Sequence, residues 1–178
     1  YEKNPTEKLK KDISKYNNIQ MARKIQLNSA YGAIGNQYFR YYNLRNAEAI
    51  TYGGQFSIRW IENKMNLYLN KVLKTKGEDY VIASDTDSIY LNMGPVVETV
   101  YKGREKTDES VVGFLNKVSE MELEPYIQSS YEELAEYVSA YDQKMIMKRE
   151  NIASSGIWTA KKRYMLNVWD SEGVRYNK

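Results

Sequence analysis

Apolar residues recur along this chain with two different periods, and the changes between them divide it into helices and strands. The clearest helical pattern is Ile58, Ile61, Met65, Tyr68, Leu69 and Val72. Their spacings of three and four place an apolar stripe on one helix face, predicting a long helix over 44–74 that packs on a sheet. Gly53-Gly54 falls in its first half and predicts close approach by a neighbouring backbone rather than a break. Upstream, residues 6–29 read as a charged, Lys-rich helix with Thr6 as its N-cap. A connection over 32–43 follows, with Gly35-Asn36 its strongest turn signal. The period then shortens. In Tyr80-Val-Ile-Ala-Ser-Asp-Thr-Asp-Ser-Ile-Tyr-Leu-Asn-Met93, two β-rich runs flank a tight turn, and Gly94-Pro95 ends the second run. Residues 107–140 read as helix in two pieces, broken near Glu124-Pro125 because Pro disfavours continuation. Residues 144–152 and 163–169 alternate as strands do. The fold class predicted is α+β: an antiparallel sheet backed by helices, with one long helix projecting.

Composition narrows the chemistry. The 178 residues are enough for one or two domains with a real core. There is no Cys, so disulfides and thiolate metal sites are excluded. There is no His, which removes the commonest general base and the commonest zinc ligand. Catalysis must therefore rest on carboxylates, metal ions, Lys and Tyr. The net charge of +3 is too small to establish nucleic-acid binding, and local clusters near Lys8–Lys15 and at Lys161–Arg163 matter more. Seventeen Tyr offer stacking and hydrogen-bonding surface, and most are expected in core or boundary positions. No apolar run is long enough to span a bilayer and no secretory signal pattern opens the chain, so no membrane partner is expected.

Three motifs carry candidate chemistry. Asp85-Thr86-Asp87-Ser88 places two carboxylates on a hairpin tip anchored by both strands, a suitable holder for a hard cation such as Mg²⁺. Asp is also a common turn former, and for this tetrapeptide alone that is the better account. Lys24, Asn28 and Tyr31 are spaced i, i+4 and i+7, so a cation, an amide and a ring share one helical stripe. A nucleoside triphosphate needs such groups, and Gly32 leaves room for a flat base. Helix termination beside a solvated lysine explains the same residues equally well. Lys161-Lys162-Arg163-Tyr164 reads as a solvated face or as a strand bordering a groove, with Trp158 and Val168 flanking it.

Taken together and in this order, the three motifs resemble family B DNA polymerases. The connecting text Phe39-Arg-Tyr-Tyr-Asn-Leu-Arg-Asn-Ala47 and Tyr68-Leu-Asn-Lys-Val72 is similar to members of that family from T-even-type tailed bacteriophages. The resemblance implies that residues 1–36 belong to the fingers and 37–178 to the palm. It implies DNA-directed synthesis from dNTPs on primer–template DNA, assisted by two Mg²⁺ ions held by Asp85 and Asp87, with Asp87 the more direct ligand. Lys24 would neutralise triphosphate charge and protonate pyrophosphate, Asn28 would bind the phosphate tail, and Tyr31 and Gly32 would line the nascent base pair. Lys161, Lys162 and Arg163 would grip the primer backbone, with Tyr164 packed beside them. Thr86, Ser88 and Glu150 are accessory candidates, although Lys148 stands where an acidic residue is expected. The resemblance also implies an exonuclease domain, a first palm motif with another metal-binding Asp, a thumb and a sliding-clamp contact outside these residues. The cellular setting implied is the cytoplasm of an infected bacterium. Two other readings remain: a polymerase relative that only binds DNA, against which the intact acidic pair argues, and an RNA-templated polymerase, in which two Asp typically stand side by side.

Overall fold

The computed structural model describes residues 6–103 and 105–176, and the chain divides into two compact units, Tyr1–Gly53 and Gly54–Lys178.

In the first unit, α1 spans Glu7–Ile34, and the Thr6 side chain accepts a hydrogen bond from the Leu9 amide at 3.3 Å. That side-chain bond satisfies one of the orphan amides at a helix start. The helix is longer than predicted. It runs through Asn28-Ser-Ala-Tyr-Gly32 instead of ending there, and the connection begins at Gly35. An interior Gly costs roughly 1 kcal/mol relative to Ala, and the flanking Ala30 and Ala33 offset this with the best helix propensity. Consecutive tight turns follow: Asn36 donates to Ala33 O at 3.0 Å, Phe39 to Asn36 O at 2.9 Å and Tyr42 to Phe39 O at 2.9 Å. The Asn43 side chain then accepts from the Asn46 amide at 3.1 Å and opens α2, Leu44–Leu73. Gly53 and Gly54 are not points of close backbone approach: a Cβ built at either meets no neighbouring atom within 4 Å.

In the second unit, α2 buries Ser57, Ile61, Met65 and Leu69, four residues apart, which is the predicted stripe shifted at its end. Val72 faces solvent, and Leu73 packs inward in its place. The acidic hairpin follows as β1 (Val81–Asp85) and β2 (Ser88–Leu91), paired antiparallel with Asp85 opposite Ser88. α3 (Gly94–Val100) was not predicted; its Pro95 both stops the strand and starts the helix, where a missing amide costs nothing. α4 (Asp108–Val118) passes through a π-helical turn, Ser119–Leu123, into α5 (Glu124–Tyr137). The predicted break at Pro125 is thus a wider helical turn, which absorbs the proline ring and the lost donor without ending the helix.

β3 (Asn151–Ala160) and β4 (Arg163–Ser171) form the second hairpin, and β5 (Val174–Arg175) pairs beyond β4. The strand predicted over 144–152 is displaced, since 143–150 carries no regular structure and pairing begins at Asn151. Ser154-Ser-Gly156 reads locally as a turn, but hydrogen bonding along β4 overrides that preference. Among the described residues the predicted antiparallel sheet is two: β1–β2, and β3–β4–β5.

The core joins Ile61 and Met65 of α2 to Val81 of β1, and to Leu123, Ile127, Tyr131 and Leu134 on the side of α5. The two helices are stitched by Trp60 Nε1 donating to Ser130 O at 2.9 Å and Tyr126 Oη donating to Lys64 O at 3.2 Å. The second sheet is tied down by a buried carboxylate. Asp170 pairs with Arg149 and, at 3.4 Å, with Arg175, while Arg149 also donates to the Asn116 side chain on α4.

Met65 is fully buried, so Met65→Ala is expected to lower stability by about 2–5 kcal/mol in urea denaturation. Val72→Ala, at a solvated position, should shift it by less than about 0.5 kcal/mol. A Cβ on Gly156 would stand 2.6 Å from Leu166 Cδ2 and 2.8 Å from the Trp158 ring. Gly156→Ala should therefore cost about 1–3 kcal/mol in the same assay through overpacking.

Candidate functional site

The acidic turn is fixed from beneath and from its own backbone. Val81 at the base of β1 is buried in the α2–α5 core, so the hairpin cannot swing on its helices. At the tip, the Asp87 amide donates to Asp85 O at 2.6 Å, a γ-turn centred on Thr86, whose φ is +56°. Left-handed φ is uncommon for a β-branched residue and persists only where surrounding contacts enforce it. Ser88 Oγ donates to Asp85 O at 3.2 Å and closes the turn.

The two carboxylates have different surroundings. Asp85 receives Lys162 Nζ on both oxygens at 3.1 Å and the Thr86 hydroxyl on Oδ1 at 2.9 Å. These hydrogen bonds, Lys162 first and Thr86 second, hold its carboxyl below the usual range, and the Lys161 charge adds to them. Asp87 is exposed, and no salt bridge reaches it among the described residues. Tyr131 on α5 feels its charge: burial first, then Asp87, pushes that phenol upward.

The cationic tip meets the acidic one inside the second unit. Lys161-Lys162 is the two-residue turn between β3 and β4, with Ala160 opposite Arg163. Lys162 has φ +61° and points its ammonium at Asp85; Lys161 and Arg163 are exposed. Behind the tips, Tyr90 of β2 packs edge-on against Trp158 at 5.3 Å and Tyr164 at 5.4 Å, and those two rings stack at 6.2 Å. Burial and a hydrogen bond with Tyr164 push the Tyr90 phenol up to about 12. The sequence pattern singled out Tyr164 but missed Tyr90, whose place two residues after Ser88 on the same strand face was the available signal.

A cleft of about 910 Å³ opens beside these tips, lined among others by Asp87, Tyr90, Lys148, Glu150, Trp158 and Tyr164. Glu150 is exposed, immediately before β3 and not within a strand, and it lines the cleft together with Lys148. Trp158 Nε1 is buried with no hydrogen-bond partner among the described residues. No cluster of three or more carboxylates suited to a metal ion occurs among the described residues.

The first unit carries the other stripe. Lys24, Asn28, Tyr31 and Gly32 are all exposed on α1. The Tyr31 hydroxyl pairs with Thr51 Oγ1 of α2 at 2.7 Å, and a Cβ on Gly32 would meet nothing within 4 Å. An exposed cation and amide one turn apart, with a tethered ring beyond them, can receive an anionic, flat ligand.

The model of DNA polymerase family B matches residues 3–129, most of the chain. The chain belongs to DNA polymerase family B. It is 46% identical over 165 residues to the DNA-directed DNA polymerase of Escherichia phage RB69, covering 88% of this chain and 18% of the relative. It is 44% identical over 178 residues to the DNA-directed DNA polymerase of Enterobacteria phage T4, covering 96% of this chain and 20% of the relative. The chain thus spans about a fifth of the length of these family B relatives. The family match takes in the acidic turn and the α1 stripe, whereas Lys161–Tyr164 lies beyond it.

The linked ionisation of Tyr90 has a defined sign. A phenol raised in the folded protein contributes stability that is fully present below its unfolded value near 10 and is lost as pH rises toward 12. Urea midpoints measured from pH 9 to 12 should fall less steeply for Tyr90→Phe than for the wild type.

Proposed function

We propose that the protein to which this chain belongs is a DNA-directed DNA polymerase, adding dNTPs to a primer 3′-hydroxyl during viral DNA replication. The supporting observation is the meeting of the Asp85–Ser88 turn with the Lys161–Arg163 turn at the edge of one cleft. Nucleotidyl transfer needs carboxylates for divalent cations beside a cationic grip on a phosphate backbone, and few other reactions need both at one edge.

In this reading residues 1–36 are fingers and 37–178 are palm. Asp87, exposed on a turn braced by two strands and the α2–α5 core, fits a Mg²⁺ ligand: a hard oxygen donor with no competing cation paired to it. Bound Mg²⁺ would supply charge stabilisation at the attacking and leaving oxygens. The chain's own residues do the rest. Lys24 and Asn28 bind and orient the triphosphate, and Lys24 hands a proton from its ammonium to the departing pyrophosphate. Tyr31, tethered through its hydroxyl, and Gly32 bound the nascent base pair by shape. Lys161 and Arg163 hold primer phosphates, and Tyr164 sets their strand through the aromatic cluster. Glu150 and Ser88 assist from the cleft wall and the turn.

The partners are primer–template DNA and dNTPs, with a sliding clamp engaged by other parts of the protein. The site is the cytoplasm of an infected bacterial cell; no helix among the described residues is long and apolar enough to cross a membrane.

In the full-length protein, Asp87→Ala should reduce primer extension by at least about 10³-fold while primer–template affinity, read by fluorescence anisotropy, stays within about threefold. Extension at near wild-type rate would remove Asp87 from the mechanism. The isolated 178-residue chain should not extend a primer, because a complete metal shell needs carboxylates from elsewhere in the protein. Mg²⁺-dependent dNTP incorporation by that chain alone would contradict this requirement.

A further inference from the structure

Where α2 meets the last turn of α5, three aromatic rings gather at the surface of the second unit. Trp60 stacks on Tyr137 with centroids 5.7 Å apart, and Phe56, one turn before Trp60, lies 6.1 and 6.3 Å from them. Trp60 is held from behind, its indole N–H spent on Ser130 O at 2.9 Å. The other two rings stay open: Tyr137 is 71% exposed, Phe56 is 43% exposed, and Val138, next in the chain, is exposed as well. Contiguous aromatic surface of this kind gains by being covered, and on a folded protein it marks a place where something binds.

Charge indicates the kind of partner. The chain carries +3 as a whole, yet α5 holds Glu124, Glu132, Glu133 and Glu136 and no lysine or arginine. Its last turn contains no basic residue, although the negative end of the helix dipole favours a cation there. One cation is already recognised at the edge of the patch. Lys64 Nζ lies 5.0 Å from the Trp60 ring centroid and 2.6 Å from Glu133, so a ring and a carboxylate together hold an ammonium. Tyr137, with Glu133 one turn before it and Glu136 beside it, offers a second ring among carboxylates. No salt bridge reaches Glu136 among the described residues.

We propose that the Phe56, Trp60 and Tyr137 patch is a docking surface for an arginine-bearing, partly apolar peptide segment of another protein. A guanidinium suits it better than an ammonium. Its plane lies flat on the open face of Tyr137 while its fork reaches a carboxylate. Apolar neighbours of that arginine cover Phe56 and Val138. An aromatic centre with a charged rim is the anatomy of a protein interface, and Tyr, Trp and Arg dominate the energetics of such contacts. None of these residues enters the nucleotidyl-transfer reading, so the proposal stands apart from it.

The test uses the full-length protein and a short fluorescein-labelled peptide alternating arginine and leucine, with binding read by anisotropy in DNA-free buffer. Tyr137→Ala and Glu136→Gln are each expected to weaken binding about fivefold or more. Glu172→Gln, at an exposed glutamate in the β4–β5 turn, should change it by less than about twofold. Lysine in place of arginine in the peptide should bind about threefold more weakly, and glutamate in its place should abolish binding. Unchanged binding in Tyr137→Ala or Glu136→Gln, an equal loss in Glu172→Gln, or equal affinity for the glutamate peptide would each overturn the proposal. Failure of the wild type to bind the arginine peptide would do the same, since the patch is then covered by the rest of the protein. A dimer seen by sedimentation and dissolved by Tyr137→Ala would make the occupant a second copy of the chain and would likewise overturn it. Should Tyr137→Ala lose its cooperative urea transition, Glu136→Gln and Glu136→Lys decide in its place. A stepwise loss of peptide affinity through those two supports the docking surface, and no change refutes it.

Discussion

Exclusion of water from between α2 and α5 is the constraint on which the acidic turn depends. Ile61, Met65 and Leu134 are the most deeply buried side chains there, and Val81 at the base of the hairpin enters the same cluster. Fully burying an aliphatic side chain is worth about 1.5–3 kcal/mol, so a handful of such residues outweighs any polar contact at the surface. The hairpin is thereby a rigid mount. Its tip can hold Thr86 in a disfavoured conformation because the strands below cannot relax to relieve it.

A second layer of fixing joins the two sheets without backbone hydrogen bonds between them. Tyr90 from one and Trp158 and Tyr164 from the other form an edge-and-stack cluster, with each such ring pair worth about 0.5–1.5 kcal/mol beyond its burial. Further along β4, Asp170 is buried with Arg149, and Arg149 reaches α4 through Asn116. Breaking a buried pair of this kind typically costs roughly 3–5 kcal/mol, because a charge is stranded. The cationic hairpin is thus held by the aromatic cluster just behind its tip and by the ion pair at its far end. Its tip is left to face the carboxylates.

Membership of DNA polymerase family B and this geometry bear on each other residue by residue. The match over residues 3–129 covers the acidic turn and the α1 stripe but stops before the cationic tip. The meeting of Lys162 with Asp85 comes from the tertiary structure and connects the matched part to the part beyond it. The lysine that pairs with Asp85 and not with Asp87 is likewise invisible in the tetrapeptide, where the two are chemically identical.

The sequence by itself determined whatever depends on local spacing and backbone preference. The stripe from Ile61 to Leu69, the Thr6 cap, the hairpin around Asp85–Ser88 and the co-alignment of Lys24, Asn28 and Tyr31 follow from periods of 3.6 and 2 and from turn chemistry. Tertiary structure alone decided the rest. Pairing with β4 moved β3 to Asn151–Ala160 against the turn preference of Ser-Ser-Gly, and a π-helical turn carried the chain past Pro125. Helical continuity carried α1 through Gly32 to Ile34. Which carboxylate takes a lysine was decided by contact between residues 77 positions apart. Local propensities amount to tenths of a kcal/mol up to about 1, whereas burial and ladder pairing act through several partners at once, so where the two conflict the distant contacts prevail.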